Sequence, residues 1–284
     1  MNVAPRFLGR GSWLARRDPR VLVLAVILFI FGVIQVWDGR IVLAVLIGAL
    51  VYYRSAGIPW SEVRGTWLIV STFLLLLLVV NTFITGGVVG GFRPEDLHVF
   101  ARVPVLGTPI SAESISYAGT QFLRALSMVA IGFPVAFAIA PSDFGATFAG
   151  LRLPYKFAYA IDLTFRFMPS LAADLQTTID AQRIRGLDDR PVRNPITRLR
   201  RMGPVVVPLT VNAIAGAEDT IDAMDLRGFG TGPRTWLRDL AFDRIDLSLI
   251  AAFAALAVGL TIAGFLTTSS HVWVPPFLIE LAGG

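Results

Sequence analysis

Long apolar runs and charged stretches alternate along the chain with little overlap. Five apolar segments are Val21–Trp37, Ile41–Tyr53, Thr66–Thr85, Gln121–Ala140 and Leu247–Thr268. They reach or approach the about 20 residues that a helix needs to cross the hydrocarbon layer. Ile41–Tyr53 is short on its own. It follows the first run across only Asp38-Gly39-Arg40, which predicts a tight helical hairpin, and its Tyr52-Tyr53 end suits a membrane interface. Val21–Trp37 is too long for the apolar region of a cleaved signal peptide and lacks a small-residue cleavage site. The expected fold class is all-α, a polytopic membrane protein with about five transmembrane helices.

Between the fourth and fifth runs the period changes. Phe157, Ile161, Phe165, Met168, Leu171, Leu175 and Ile179 recur at steps of three or four, with Asp162 and Arg166 one turn apart for pairing on the other face. Pro169 suits the first turn of a helix that runs to Arg185 and is capped by Gly186. The arginine-rich link Arg190–Arg201 bends at Pro191 and Pro195. A second helix is predicted from about Pro204–Pro208 to Arg227, capped by Gly228. Its first half (Val205, Val206, Val207, Leu209, Val211, Ile214) is apolar almost all round. That pattern requires cover by protein or lipid. Its second half carries Glu218, Asp219, Asp222 and Asp225.

Charge sharpens this division. Residues 142–245 hold 26 charged side chains in 104 positions, against 19 in the remaining 180. The expected organisation is a four-span membrane domain (1–141), a cytoplasmic domain (142–245), and a last span with a short external tail (246–284). Arg6, Arg10, Arg16, Arg17 and Arg20 place the N-terminus in the cytoplasm, and the same rule puts the loop with Arg54 and Arg64 inside. The Gly-rich loop 86–118 and the tail from Ser269 then fall outside. Arg124, near the outer end of the fourth span, is expected to snorkel. Its alternative reading is a charge in a transport pathway. The basic residues are 24 Arg and the single Lys156, and the sequence pI is near 10.2. In a polytopic protein that excess is better explained by charge retained inside than by nucleic acid. With no cysteine, disulfides, thiolate metal sites and thiol nucleophiles are excluded.

The two helix ends repeat each other. Thr178-Ile179-Asp180-Ala181-Gln182-Arg183-Ile184-Arg185-Gly186 matches Thr220-Ile221-Asp222-Ala223-Met224-Asp225-Leu226-Arg227-Gly228 at six of nine positions, 42 residues apart. Helix-stop chemistry explains Arg-Gly but not Thr-Ile-Asp-Ala. Two equal knobs on one chain are what a subunit needs to engage two copies of a partner. Each Arg offers a forked donor to a carboxylate or to backbone carbonyls.

Together with Leu153-Pro154, Arg166-Phe167-Met168-Pro169, Ala181–Gly186 and Ala223–Phe229, these ends resemble the transmembrane T component of energy-coupling-factor transporters, the CbiQ/EcfT-like family. The agreement covers roughly residues 145–235; the spans agree only in pattern. The departures are Ile184 and Leu226, which stand where the family has alanine. The resemblance implies a non-catalytic subunit of an ATP-driven importer in a prokaryotic plasma membrane. Two cytosolic ATPase subunits, which bind the ATP, would dock at Ala181, Arg185, Gly186, Ala223, Arg227 and Gly228. A separate membrane-embedded S component for a vitamin or a transition-metal ion would rest on a platform. That platform would combine Phe157, Ile161, Phe165, Met168, Leu171 and Leu175 with Val205, Val206, Leu209 and Ile214. No cofactor is implied for this chain.

Other chemistries lack their residues. Gly150 stands correctly before Lys156 for a nucleotide loop, but Tyr155 and Phe157 replace the required Gly and Ser/Thr. His98 and His271 are both predicted outside and form no helical metal pair. Three alternatives are weighed against the leading reading. They are a conventional importer permease that docks through one helix per chain, an integral-membrane enzyme with 142–245 as its catalytic domain, and a nucleic-acid-binding segment at Arg190–Arg201. Lipid headgroups explain the last more simply.

Overall fold

The computed structural model describes residues 12–85, 97–102, 109–187, 195–232, 240–266 and 273–281. Among these, Pro141–Leu240 forms one compact unit and the flanking residues form another.

The membrane unit is built from α1 (Pro19–Ile34), α2 (Gly39–Ser55), α3 (Trp60–Val80), a hairpin of β1 (Val99–Arg102) and β2 (Pro109–Ser111), and α4 (Ala112–Ala138). Residues after 240 add α8 (Arg244–Leu266) and α9 (Pro276–Leu281); α5 to α7 belong to the other unit. Local chemistry sets the helix starts. Asp18 and Asp38 cap α1 and α2 by accepting the backbone N–H groups of Arg20 and Arg40, each at 2.8 Å. Ser111 and Ser114 close a reciprocal capping box at α4. The antiparallel hairpin pairs Val99 with Ser111 and Ala101 with Ile110 around a bulge, an addition to the all-helical expectation. It leads into α4, whose Glu113 accepts from the His98 backbone N–H at 3.1 Å and meets His98 Nδ1 at 2.8 Å.

The core of this unit is aliphatic and aromatic. It centres on Phe29, Val33, Val42, Trp67, Ile131 and Leu260. Trp67 stacks on Phe133 at 5.7 Å, meets Tyr53 edge-on at 5.4 Å and donates from Nε1 to the Tyr53 hydroxyl at 3.0 Å. α1 and α8 approach closely at small residues. A Cβ on Gly32 would stand 2.9 Å from Ala257 Cα, and one on Gly264 would stand 2.9 Å from the Gln35 carbonyl oxygen. Gln35 Nε2 donates across this seam to Thr261 Oγ1 at 3.0 Å. Such contacts replace the hydrophobic effect where lipid is as apolar as the side chains.

Contacts at the two ends order the helices. Arg17 meets Asp243 at 3.3 Å, joining the entry to α1 with the entry to α8; Trp13 Nε1 donates to Ser55 Oγ at the end of α2. At the opposite end Trp37 stacks on Tyr117, and Arg40 lies 4.0 Å over Trp273. Arg124 is only 6% exposed. It does not snorkel: its Nη2 donates to the Val36 carbonyl just beyond α1, and its guanidinium lies 4.9 Å over Trp37. A cation at a helix C-terminus is favoured by the dipole.

This is an all-α membrane protein apart from the small hairpin. Among the described residues, three helical stretches are long and apolar enough to cross a membrane: Trp60–Phe83, Ala112–Ala138 and Arg244–Phe265. α1 and α2 have 16 and 17 residues, short of the usual span. The fourth run extends further than its apolar residues show, because α4 begins at Ala112 and not at Gln121.

The second unit comprises α5 (Phe144–Gly150), α6 (Tyr155–Ile184) and α7 (Pro195–Leu226). Both long helices start earlier than expected. Pro169 lies inside α6, and Pro204 and Pro208 lie inside α7. A proline removes one backbone donor and frees a carbonyl four residues back. Pro169 and Pro204 are on exposed positions, where such a carbonyl can be solvated. Asp162 does not pair with Arg166. It packs against α5, where a Cβ on Gly145 would stand 2.5 Å from the Asp162 Cβ.

Candidate partner-docking site

The ends of α6 and α7 share one backbone geometry. At the first, Gly186 N–H donates to the Arg183 carbonyl at 3.0 Å and Leu187 N–H to the Gln182 carbonyl at 3.0 Å. At the second, Gly228 N–H donates to the Asp225 carbonyl at 2.9 Å and Phe229 N–H to the Met224 carbonyl at 3.0 Å. Both are Schellman closures, which need a left-handed residue at the position after the cap. Gly186 (φ +90°) and Gly228 (φ +63°) supply it without a Cβ penalty. The nine-residue repeat is thus a structural repeat, down to individual carbonyls.

What these ends present is also matched. Arg185 and Arg227 are exposed, as are Ala181 and Ala223 one turn earlier. Ile184 and Leu226 are each 90% exposed. Asp180 is held by Arg183 at 3.1 Å and by Gln176 at 3.2 Å, and the acids Glu218, Asp219, Asp222 and Asp225 line exposed positions of α7.

How the ends are held differs. The Phe229 ring lies 4.6 Å from Tyr159 and 6.1 Å from Tyr155, and the Tyr159 hydroxyl reaches Met224 Sδ at 3.8 Å. The second end therefore docks on the first turns of α6. The first end lies at the far terminus of the same helix, whose 30 residues span about 45 Å. Sequence reasoning missed this aromatic clamp, although Phe229 directly follows the second Arg-Gly.

The expected apolar platform divides in the structure. Phe157, Leu171, Val206 and Ile214 are exposed, joined by Val207 and Val211. Ile161, Met168, Leu175 and Leu209 are half-buried. Phe165 is already stacked on Phe144 of α5 at 4.9 Å, and Val205 is fully buried. These two brace the helices and are not open surface. α5 had no clear signal in the sequence.

Of the two candidate histidines, one lies within the described residues. His98 is engaged by Glu113. His271 lies outside the described residues, as do residues 190–194 of the Arg190–Arg201 link, whose remainder is the start of α7.

The sequence profile of the cobalt transport protein family (CbiQ) matches residues 10–236, which includes both Arg-Gly ends. The chain belongs to this family. Individual relatives carry a transporter-component name. The energy-coupling factor transporter transmembrane protein EcfT of Leuconostoc gelidum is 26% identical over 274 residues, covering 92% of this chain and 94% of that protein. EcfT of Staphylococcus aureus is 28% identical over 272 residues, covering 91% and 97%. EcfT of Exiguobacterium sibiricum is 34% identical over a shorter stretch of 115 residues, 39% of this chain and 43% of that protein. The CbiQ chain described here is thus a transmembrane component of an energy-coupling factor transporter.

Proposed function

We propose that this chain transmits the movement of two cytosolic ATPase subunits to a membrane-embedded S component, for uptake of a vitamin or a transition-metal ion. Each ATPase grips one Arg-Gly end, through Arg185 and Gly186 or through Arg227 and Gly228, with Ala181 and Ala223 at the contact. ATP binds the ATPases, and this chain contributes no catalytic group. Its membrane unit crosses the bilayer five times with the N-terminus in the cytoplasm. The short α1 and α2 form a hairpin between longer spans, and α1 and α8 enter from the same side. The exposed face of Phe157, Leu171, Val206, Val211 and Ile214 carries the S component, because an apolar helix face in water requires a partner.

The observation that carries this reading is the duplicated closure. Two ends with the same hydrogen bonds, the same left-handed glycine and the same exposed arginine suit two equivalent partner grooves. Separation along α6 gives the two partners room, and a change in their spacing acts on a long lever. A guanidinium buried in a groove pairs with carboxylates or carbonyls bidentately, so reversing its charge converts attraction to repulsion.

The test is the double variant Arg185→Glu/Arg227→Glu in the full complex. ATPase subunits are expected to be lost on purification through a tag on this chain, while the S component stays. Recovery of ATPases at wild-type yield overturns the docking scheme.

A further inference from the structure

Ile184 and Leu226 are, at 90%, the most exposed large apolar side chains among the described residues. The next is Phe265 at 77%, on the apolar helix α8, where lipid can cover it. Lipid does not account for the pair. Their own last turns carry Asp180, Gln182 and Arg183 in one helix and Asp222 and Asp225 in the other. A single exposed leucine needs no explanation. Two at equivalent positions of a structural repeat do.

The repeat also shows what has been free to differ. Three of its nine positions are not identical. Two of them change chemistry: Gln182 against Met224, and Arg183 against Asp225. The third, Ile184 against Leu226, keeps its volume and polarity and differs only in where the chain branches. Each of these side chains immediately precedes the exposed arginine of its own end. We infer that Ile184 and Leu226 are apolar anchors, each seating in an apolar socket of an ATPase subunit beside the acceptor for the neighbouring arginine. The inference rests on the docking scheme above and adds the partner chemistry. The sockets are alike in the two subunits and accept a four-carbon aliphatic side chain of either branching. An arginine is a common interface hot spot, and an aliphatic side chain seated beside it excludes water from the charged pair. The salt-dependent arginine then selects and orients, and the anchor supplies affinity that salt does not screen.

The chain has no cysteine, so one introduced thiol reports on one position. Ile184→Cys and Leu226→Cys are labelled with a maleimide in the assembled transporter in lipid vesicles, with and without ATPases. Protection of both thiols by bound ATPases is expected; full reactivity of either thiol in the bound complex overturns the anchor. The second measurement titrates ATPases onto vesicles holding this chain and its S component. Ile184→Ala and Leu226→Ala each weaken binding about tenfold and the double variant about a hundredfold, at low and high salt alike. Ile184→Leu keeps wild-type affinity. A double alanine variant within twofold of wild type sinks the anchors. Because both side chains are exposed and alanine favours helix, these variants leave the fold intact. Arg185→Glu/Arg227→Glu run in parallel separates the two ideas. If it releases the ATPases while the alanine pair does not, docking stands and only the anchors fail. If both variants bind normally, the docking scheme fails with them.

Discussion

The two units use their side chains in opposite ways. In the membrane unit, α1 alone buries Val21, Leu22, Ala25, Phe29, Gly32 and Val33, and even a charged residue, Arg124 of α4, is turned inward onto a carbonyl. α6, nearly twice as long as α1, buries a single residue, Ala158. Along α7, Val206, Val207, Val211 and Ile214 stand open, and among its described side chains Val205 is the one fully buried apolar residue. A helix pair with so little interior is not stabilised mainly by itself. The membrane unit is a scaffold in which positions are determined by contacts within the chain. The α6–α7 pair is mostly surface, with few positions determined by contacts within the chain. Substitutions at chemically similar residues in the two units should therefore have unlike consequences.

The largest contrast is between arginines. Arg124→Ala removes the charged donor to the Val36 carbonyl and the cation over Trp37. It is expected to cost about 3 kcal/mol, the sum of a charge-assisted hydrogen bond and a buried cation–π contact. The check is a thermal melt of the detergent-solubilised protein. Arg185→Ala is expected to leave that melt unchanged while weakening ATPase recovery. Equal losses of stability at the two positions would erase the distinction between scaffold and surface.

The same distinction explains what could be read without coordinates. Gly186 and Gly228 mark helix ends correctly because a Schellman closure is local: one glycine and the carbonyls of the preceding turn suffice. The membrane runs are legible because lipid demands about 20 consecutive apolar residues. The beginnings of α6 and α7 were misplaced because Pro169, Pro204 and Pro208 carry the chemistry of a helix start. Whether a proline starts a helix or sits within one depends on whether the freed carbonyl finds water, which sequence does not show. Arg124 was misread for a related reason. Its partner carbonyl is 88 residues away, in the turn after α1. The aromatic clamp joins Phe229 to Tyr155 and Tyr159 across about 70 residues and has no local signature. The two matched helix ends were thus legible, and the way the second of them is held was not.

A second contrast uses glycine. Gly32→Ala places a methyl 2.9 Å from Ala257 Cα, backbone that cannot yield without opening the α1–α8 seam. It is expected to lose about 2 kcal/mol, the usual cost of overpacking a close helix pair. Gly216→Ala, in the middle of α7, meets nothing within 4 Å. It should gain up to about 1 kcal/mol of local helix stability from reduced backbone entropy. Melting curves in detergent read the first, and amide hydrogen exchange along α7 reads the second. If Gly216→Ala destabilises α7, an unrecognised contact covers that face in the isolated chain.

The smallest effect falls inside the surface unit and sharpens the comparison by showing where it breaks down. Of the two Arg-Gly ends, the second is tied back onto the start of α6, through Phe229, Tyr159 and Met224. Phe229→Ala should release that end at a cost of about 1.5 kcal/mol, less than a core phenylalanine because the ring is half-buried. Leu187, at the equivalent position of the first end, is also half-buried but lacks the ring contacts, and Leu187→Ala should cost less, about 1 kcal/mol or below. Hydrogen exchange at the last turns of α6 and α7 separates the two: protection drops further at Met224–Arg227 in the first variant than at Gln182–Arg185 in the second. An end held by its own chain transmits force to the base of α6. If the clamp matters for coupling, Phe229→Ala keeps both ATPases bound yet lowers the substrate moved per ATP hydrolysed, whereas Leu187→Ala leaves that ratio unchanged.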